Sequence, residues 1–248
     1  MVELVFSRLA GADSADGERL LVVGPSLGTG VADLWSRSAA LLPASWEVVG
    51  WDLPGHGAGV PTTTAFTVDD LAAAVRTRAG ELAAGRPVAY AGVSLGGAVG
   101  FLLAADPGAF DAVATIASAR LIGTPDGWCE RAAYVRQAGT AAMVEGSATR
   151  WFAPGFLERD PDAGSNLLRA LQDVDDESYA LACEALATFA AADLPARVPL
   201  LVAGGAHDVV VAPAAVDVVL DGVAHLPPAE DPAGTAALLT DFLEGRPS

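Results

Sequence analysis

Cysteine is scarce: only Cys129 and Cys183 occur in 248 residues. Two cysteines fit a reducing compartment, and both are expected to be small buried apolar side chains. Positive charge is scarce as well. Lys and Arg total 14 against 31 Asp and Glu, a formal net charge of −17. No basic cluster reverses that balance locally, so nucleic acid and anionic lipid surfaces are excluded as partners. A small organic molecule is the expected partner. Long apolar runs are missing, because Gly, Pro, Asp or Arg interrupts each one before it reaches membrane-spanning length. No basic-then-apolar leader opens the chain, and a cytoplasmic protein is expected. Internal repeats and low-complexity linkers are also missing, and nothing specifies an oligomeric state. What remains is a chain that is 52% hydrophobic, enough to exclude disorder and to bury a large core.

The pattern along the chain alternates strand and helix. Val2–Leu9 reads as a first strand, Gly11–Gly17 as a polar turn, and Leu20–Val23 as a short strand buried on both faces. Helical spacing follows over Val31–Leu42, then a strand at Trp46–Trp51 and the loop Asp52-Leu53-Pro54-Gly55-His56-Gly57. Thr67 reads as an N-cap with Asp70 three residues on, opening a helix that ends near Gly85. Pro87–Ala91 is a strand, Gly96–Ala105 a helix and Val113–Ala117 a strand. Such alternation predicts an α/β fold, a mostly parallel sheet flanked by helices. It breaks over 118–192, where helical spacing continues without a strand. It resumes at Pro199–Ala203, with Val216–Leu220 as the last strand and Asp231–Leu243 as the closing helix. The expected organisation is a core formed by 1–117 and 193–248, with 118–192 as a helical cap over the carboxyl edge of the sheet.

Gly92-Val93-Ser94-Leu95-Gly96 matches G-x-S-x-G, follows an apolar strand and precedes a helix. A turn that sharp needs glycine two residues before and two after the serine, because a Cβ there would collide with the adjacent strand or helix. Ser94 is therefore the candidate nucleophile. A serine needs a base, and only His56, His207 and His225 exist. His56 lies well before the nucleophile and is expected to brace its own loop. His207 precedes Asp208 directly, and adjacent residues on an extended segment point apart. His225 follows the last strand, and Asp208 follows the strand before it, in the order Ser, acid, His of the α/β-hydrolase fold. Asp217 and Asp221, within and at the end of the last strand, are poorer acids. The oxyanion donors expected are the backbone amides of Leu95 and of Leu27, the latter in the loop Gly24–Gly30.

Several segments carry a further resemblance. Ser26-Leu27-Gly28-Thr29, the elbow around Ser94 and the tail Val223-Ala224-His225-Leu226-Pro227-Pro228-Ala229-Glu230 resemble the 3-oxoadipate enol-lactonase family of the α/β-hydrolase superfamily. So do Ile122-Gly123-Thr124-Pro125-Asp126-Gly127-Trp128 with Arg131, Arg150-Trp151-Phe152, and Tyr179-Ala180-Leu181-Ala182-Cys183. The resemblance implies hydrolysis of an enol-lactone bearing an acetate arm, in aromatic catabolism, with no metal or organic cofactor. It also implies a local cation for the free carboxylate. Arg131 is the candidate, with Trp128 packing on the ring and Trp151 lining the pocket. A surface role for Arg131 and a core role for Trp151 are the alternatives. The chain departs from its relatives between Asp208 and His225, which only Val209–Ala224 separates, and Val209–Ala215 leaves room for a turn or two in place of a helix. Other cofactor-free hydrolases of the fold share the triad: carboxylesterases, perhydrolase-type aryl esterases and carbon–carbon bond hydrolases. A non-catalytic ligand-binding homologue is the reading from a different class.

Overall fold

A computed structural model describes residues 2–11 and 17–245. The turn expected at Gly11–Gly17 therefore lies mostly outside the described residues. Among the described residues seven strands form one sheet: β1 (Val5–Ala10), β2 (Arg19–Gly24), β3 (Trp46–Asp52), β4 (Val88–Val93), β5 (Phe110–Ile116), β6 (Leu200–Gly205) and β7 (Val218–Leu220). Their spatial order is β1-β3-β2-β4-β5-β6-β7. β1 runs antiparallel to β3, and every other pairing is parallel. This is the α/β-hydrolase fold, as the alternation predicts.

The apolar runs explain the layers. β3 and β4 are buried along their whole length, as strands covered on both faces must be. Helices α1 (Val31–Ala39), α2 (Val68–Leu82) and α3 (Leu95–Ala105) supply crossovers on the two faces. α3 is apolar nearly all round and fully buried up to Ala104, which suits the helix at the centre of the molecule. α1 stops at Ala39, short of Leu42, because Pro43 disfavours helical geometry in the residue before it. Its first amide has no local side-chain cap. Instead Asp52, at the end of β3, accepts from Val31 N–H at 2.7 Å and from Ala58 N–H at 3.1 Å. α2 opens on the expected capping box, with Thr67 and Asp70 each accepting the other's backbone amide. β5 begins three residues before the expected Val113, where exposed Asp111 interrupts the apolar run and bonds Arg19 at 2.7 Å.

Between β5 and β6 the chain forms only helices: α4 (Pro125–Ala138), α5 (Val144–Trp151), α6 (Phe156–Arg159), α7 (Pro161–Gln172) and α8 (Asp176–Ala187). Thr124, Asp160 and Asp175 cap α4, α7 and α8 with their side chains. Arg136 of α4 clamps α8 through Glu177 and Glu184. After β6 a single 3₁₀ turn, Pro213–Ala215, stands where the sequence leaves room for no helix. α9 (Pro227–Glu230) and α10 (Pro232–Leu243) close the chain, α10 with Asp231 as its cap.

Candidate active site

Parallel strands end on one edge of a sheet. The loops after β2, β4, β6 and β7 therefore emerge side by side, and they carry Leu27, Ser94, Asp208 and His225 respectively. The turn from β4 into α3 holds Ser94 at φ 53°, ψ −110°. Few residues other than glycine adopt such a conformation, at a cost of about 1–3 kcal/mol. Backbone bonds on both sides maintain it: Ser94 N–H donates to Ile116 O at 2.9 Å, and Ser94 O accepts from Ala98 N–H and Ser118 Oγ, both at 2.8 Å. A Cβ at position 92 would run into the Gly96 backbone, and one at position 96 would sit 2.6 Å from Pro25 O. Glycine is thus required at both places for the steric reason read from the motif.

His225 Nδ1 lies 2.9 Å from Asp208 Oδ2. The other carboxylate oxygen of Asp208 accepts from Val210 N–H at 2.7 Å and Val211 N–H at 3.0 Å, which fixes the plane of the group. With Nδ1 as the donor to Asp208, Nε2 of a neutral ring keeps its lone pair. Asp208 and His225 are almost completely buried, whereas His207 points outward, as adjacent residues should. The short link between Asp208 and His225 is long enough to bring them together, because the 3₁₀ turn and β7 bridge it. Ser94 and His225 line one cavity of about 340 Å³. Among the described residues no hydrogen bond joins the Ser94 hydroxyl to the His225 ring. Such contacts are often long before substrate binds.

Among the described residues the amides of Leu27 and Leu95 have no hydrogen-bond partner. Leu27 lines the cavity, in a turn closed by Ser26 and Thr29, and Leu95 is the first residue of α3, whose amide end favours negative charge. Trp128, Arg131 and Trp151 line the same cavity. The Arg131 guanidinium carbon stands 4.9 Å from the Trp128 ring centre, and the Trp128 N–H is spent on Ile122 O. Trp151 does both things expected of it, since it is buried and packs on Gly28 while facing the cavity.

Three residues here carry more weight than the sequence indicated. Arg150 lines the cavity, with no carboxylate opposite it among the described residues; burial first, and the nearby charge of Arg131 second, hold its guanidinium below the usual arginine range. Tyr179 is also in the wall, and burial pushes its phenol up to about 12. It stacks on His56, which is fully buried and braces its loop through Pro54 O at 2.8 Å. Glu230 is buried beside the His225 loop. Arg150 and Tyr179 stood in matching segments without a role, since a residue type on a helix does not say which way its side chain turns. Among the described residues no group of three or more His, Cys, Asp or Glu is placed to hold a metal ion, and no helix is long and apolar enough to cross a membrane.

Comparison with known proteins bears on the family and the fold. A family profile described as alpha/beta hydrolase fold matches residues 20–137. The chain is 33% identical over 194 residues to 3-oxoadipate enol-lactonase 2 of Acinetobacter baylyi, covering 76% of this chain and 71% of the relative. The enol-lactonase 1 of the same organism is 30% identical over 197 residues, with the same shares. Among solved structures, the enol-lactonase from Burkholderia xenovorans LB400 superposes with a TM-score of 0.86 at 25% identity, covering 97% of this chain and 96% of that one. A thermophilic esterase from Thermogutta terrifontis reaches 0.83 at 19% identity, over 99% and 94% of the two chains, a likeness of fold alone.

Proposed function

The chain belongs to the 3-oxoadipate enol-lactonase family of α/β-hydrolases and is a carboxylic ester hydrolase, and from that premise we propose that it opens 3-oxoadipate enol-lactone in aromatic catabolism, in the cytoplasm, with Ser94 as nucleophile. His225 Nε2 takes the Ser94 proton as Oγ attacks the lactone carbonyl. Asp208 keeps the other ring nitrogen protonated and stabilises the imidazolium. The Leu27 and Leu95 amides receive the oxyanion. Its collapse breaks the ring C–O bond, and the leaving enolate oxygen takes the proton from His225. The enol then becomes the ketone, which makes it a better leaving group than an alkoxide. Water, losing its proton to His225, releases the acid and restores Ser94. Residues 118–192 serve as the cap over a core of 1–117 and 193–248.

The observation that carries the substrate reading is a concentration of positive charge. In a chain of net charge −17, Arg131 and Arg150 face the cavity of Ser94 without a carboxylate partner among the described residues. Two cations kept close against their mutual repulsion suit a substrate that arrives with its own carboxylate. Trp128 and Trp151 offer apolar walls for the ring. The test is turnover of freshly generated enol-lactone beside neutral lactones of similar size. A charged hydrogen bond contributes about 1.5–3 kcal/mol, so kcat/KM should favour the anionic substrate by roughly 10-fold or more. Equal values for anionic and neutral lactones would remove the substrate assignment while leaving an ester hydrolase.

A further inference from the structure

Three consecutive backbone amides surround the candidate base, and all three are committed to partners outside its loop. Ala224 N–H and Leu226 N–H donate to one oxygen of the Glu230 carboxylate, Oε1, at 2.9 and 3.2 Å. His225 N–H, between them, donates to Trp151 O at 3.1 Å. The second oxygen, Oε2, accepts from Ala153 N–H at 2.6 Å, two residues beyond Trp151. The result is a closed ring of hydrogen bonds: His225 loop, Glu230, Ala153, Trp151 and back to His225. It joins the end of α5, within the helical insertion, to the loop that carries the imidazole.

A buried carboxylate is an expensive way to satisfy three amides, and Glu230 is 6% exposed. Glutamate adds two acceptor oxygens with fixed separation, so it sets the distance between two segments far apart in sequence. Asp208 fixes the His225 ring through Nδ1, and the backbone that bears the ring is held by Trp151 O and the Glu230 carboxylate.

We infer that Glu230 is a positioning residue: it places the His225 main chain against Ser94 and ties that placement to the α5 end of the insertion, which also supplies Trp151 to the cavity wall. This rests on His225 acting as the base. Ring position is then set from two sides, by Asp208 through the side chain and by Glu230 through the main chain. Displacements of about 1 Å at a reacting group can cost on the order of 100-fold in rate.

The test is Glu230→Gln. Glutamine keeps the shape, but its NH₂ must face either Ala153 N–H or the Ala224 and Leu226 amides, so donor meets donor in one half of the ring. Hydrolysis of p-nitrophenyl acetate is measured per active site counted with a fluorophosphonate, beside the wild type and Ser94→Ala. An inactive wild type would sink the catalytic reading itself, which separates that failure from this one. With the wild type active, kcat per site should fall roughly 10- to 100-fold while KM changes less than about threefold. The downfield proton resonance of the His225–Asp208 bond should shift or broaden. A folded variant with kcat per site within about twofold of wild type and an unmoved resonance overturns the inference. So does a loss explained entirely by fewer titratable sites, which would mean a folding role alone. If Glu230→Gln does not fold, Ala153→Pro decides. It removes the amide that donates to Oε2 and adds a ring at a buried position that already precedes Pro154, after extended Phe152. The same selective fall in kcat is expected, and an unchanged kcat overturns the inference.

Discussion

Replacing Ser94 by glycine removes the hydroxyl and, with it, the Cβ that makes φ 53°, ψ −110° costly. Replacing it by alanine removes the hydroxyl and keeps the Cβ. Neither change disturbs the backbone bonds to Ile116, Ala98 and Ser118, because the amide and carbonyl remain. The two variants therefore differ mainly in backbone strain. Relief of that strain contributes about 1–3 kcal/mol to the glycine variant. The greater freedom of glycine in the unfolded chain offsets about 0.5–1 kcal/mol. At the middle of these ranges Ser94→Gly is about 1 kcal/mol more stable than Ser94→Ala. For a domain of this size each kcal/mol moves Tm by about 2–4 °C, giving roughly 2–4 °C. Calorimetry reads the Tm, and urea unfolding should show a higher midpoint at unchanged slope. Both variants should be inactive. A glycine variant no more stable than the alanine variant would refute the claim that the turn stores backbone strain at Ser94.

Arg150→Ala should raise KM for the anionic lactone by roughly 10-fold or more and leave a neutral p-nitrophenyl ester within about twofold, read by steady-state kinetics on both. Equal effects on the two would assign Arg150 to packing. Asp208→Asn should lower kcat on the order of 10³- to 10⁴-fold with little change in Tm, since the amide can hold the ring in the wrong tautomer. His56 gives a pH dependence of stability. Burial lowers its pKa from 6.5 to about 4 in the folded state, so the folded protein keeps the ring neutral where the unfolded chain takes a proton. Stability from this source is complete above about pH 6.5 and is lost as pH falls towards 4, about 3 kcal/mol in all. Urea midpoints across that window should fall less steeply in His56→Asn, which keeps a donor for Pro54 O and cannot titrate there.

The parts of the fold legible in the sequence are those that local pattern dictates. Apolar runs such as Leu20–Val23 mark strands covered on both faces, and glycine around Ser94 marks a backbone that tolerates no side chain. The capping pair Thr67 and Asp70 is local for the same reason. Other features depend on partners distant in sequence. Asp52 looks like a loop residue in the sequence, yet it caps a helix that begins 21 positions earlier. Nothing in Val2–Leu9 says that β1 runs against β3 rather than along it. In the site, Ser94, Asp208 and His225 follow from strand order, whereas Arg150 depends on the direction of one side chain on an insertion helix. Glu230 was visible only as part of a tail, because its three amide donors come from two separate stretches of chain.

The helical segment is spliced between two neighbouring strands and returns to the sheet where it left. Such an arrangement is a natural unit of exchange for protein engineering. A graft of residues 118–192 from a relative could carry a new substrate preference without altering any strand. Its seams, however, lie beyond the splice points. Arg37 on α1 grips Asp160 at 2.6 Å, and Glu230 near the carboxyl end grips Ala153. A chimera that transplants the helices must bring compatible residues at 37 and 230, or inherit the new pocket with its imidazole unmoored.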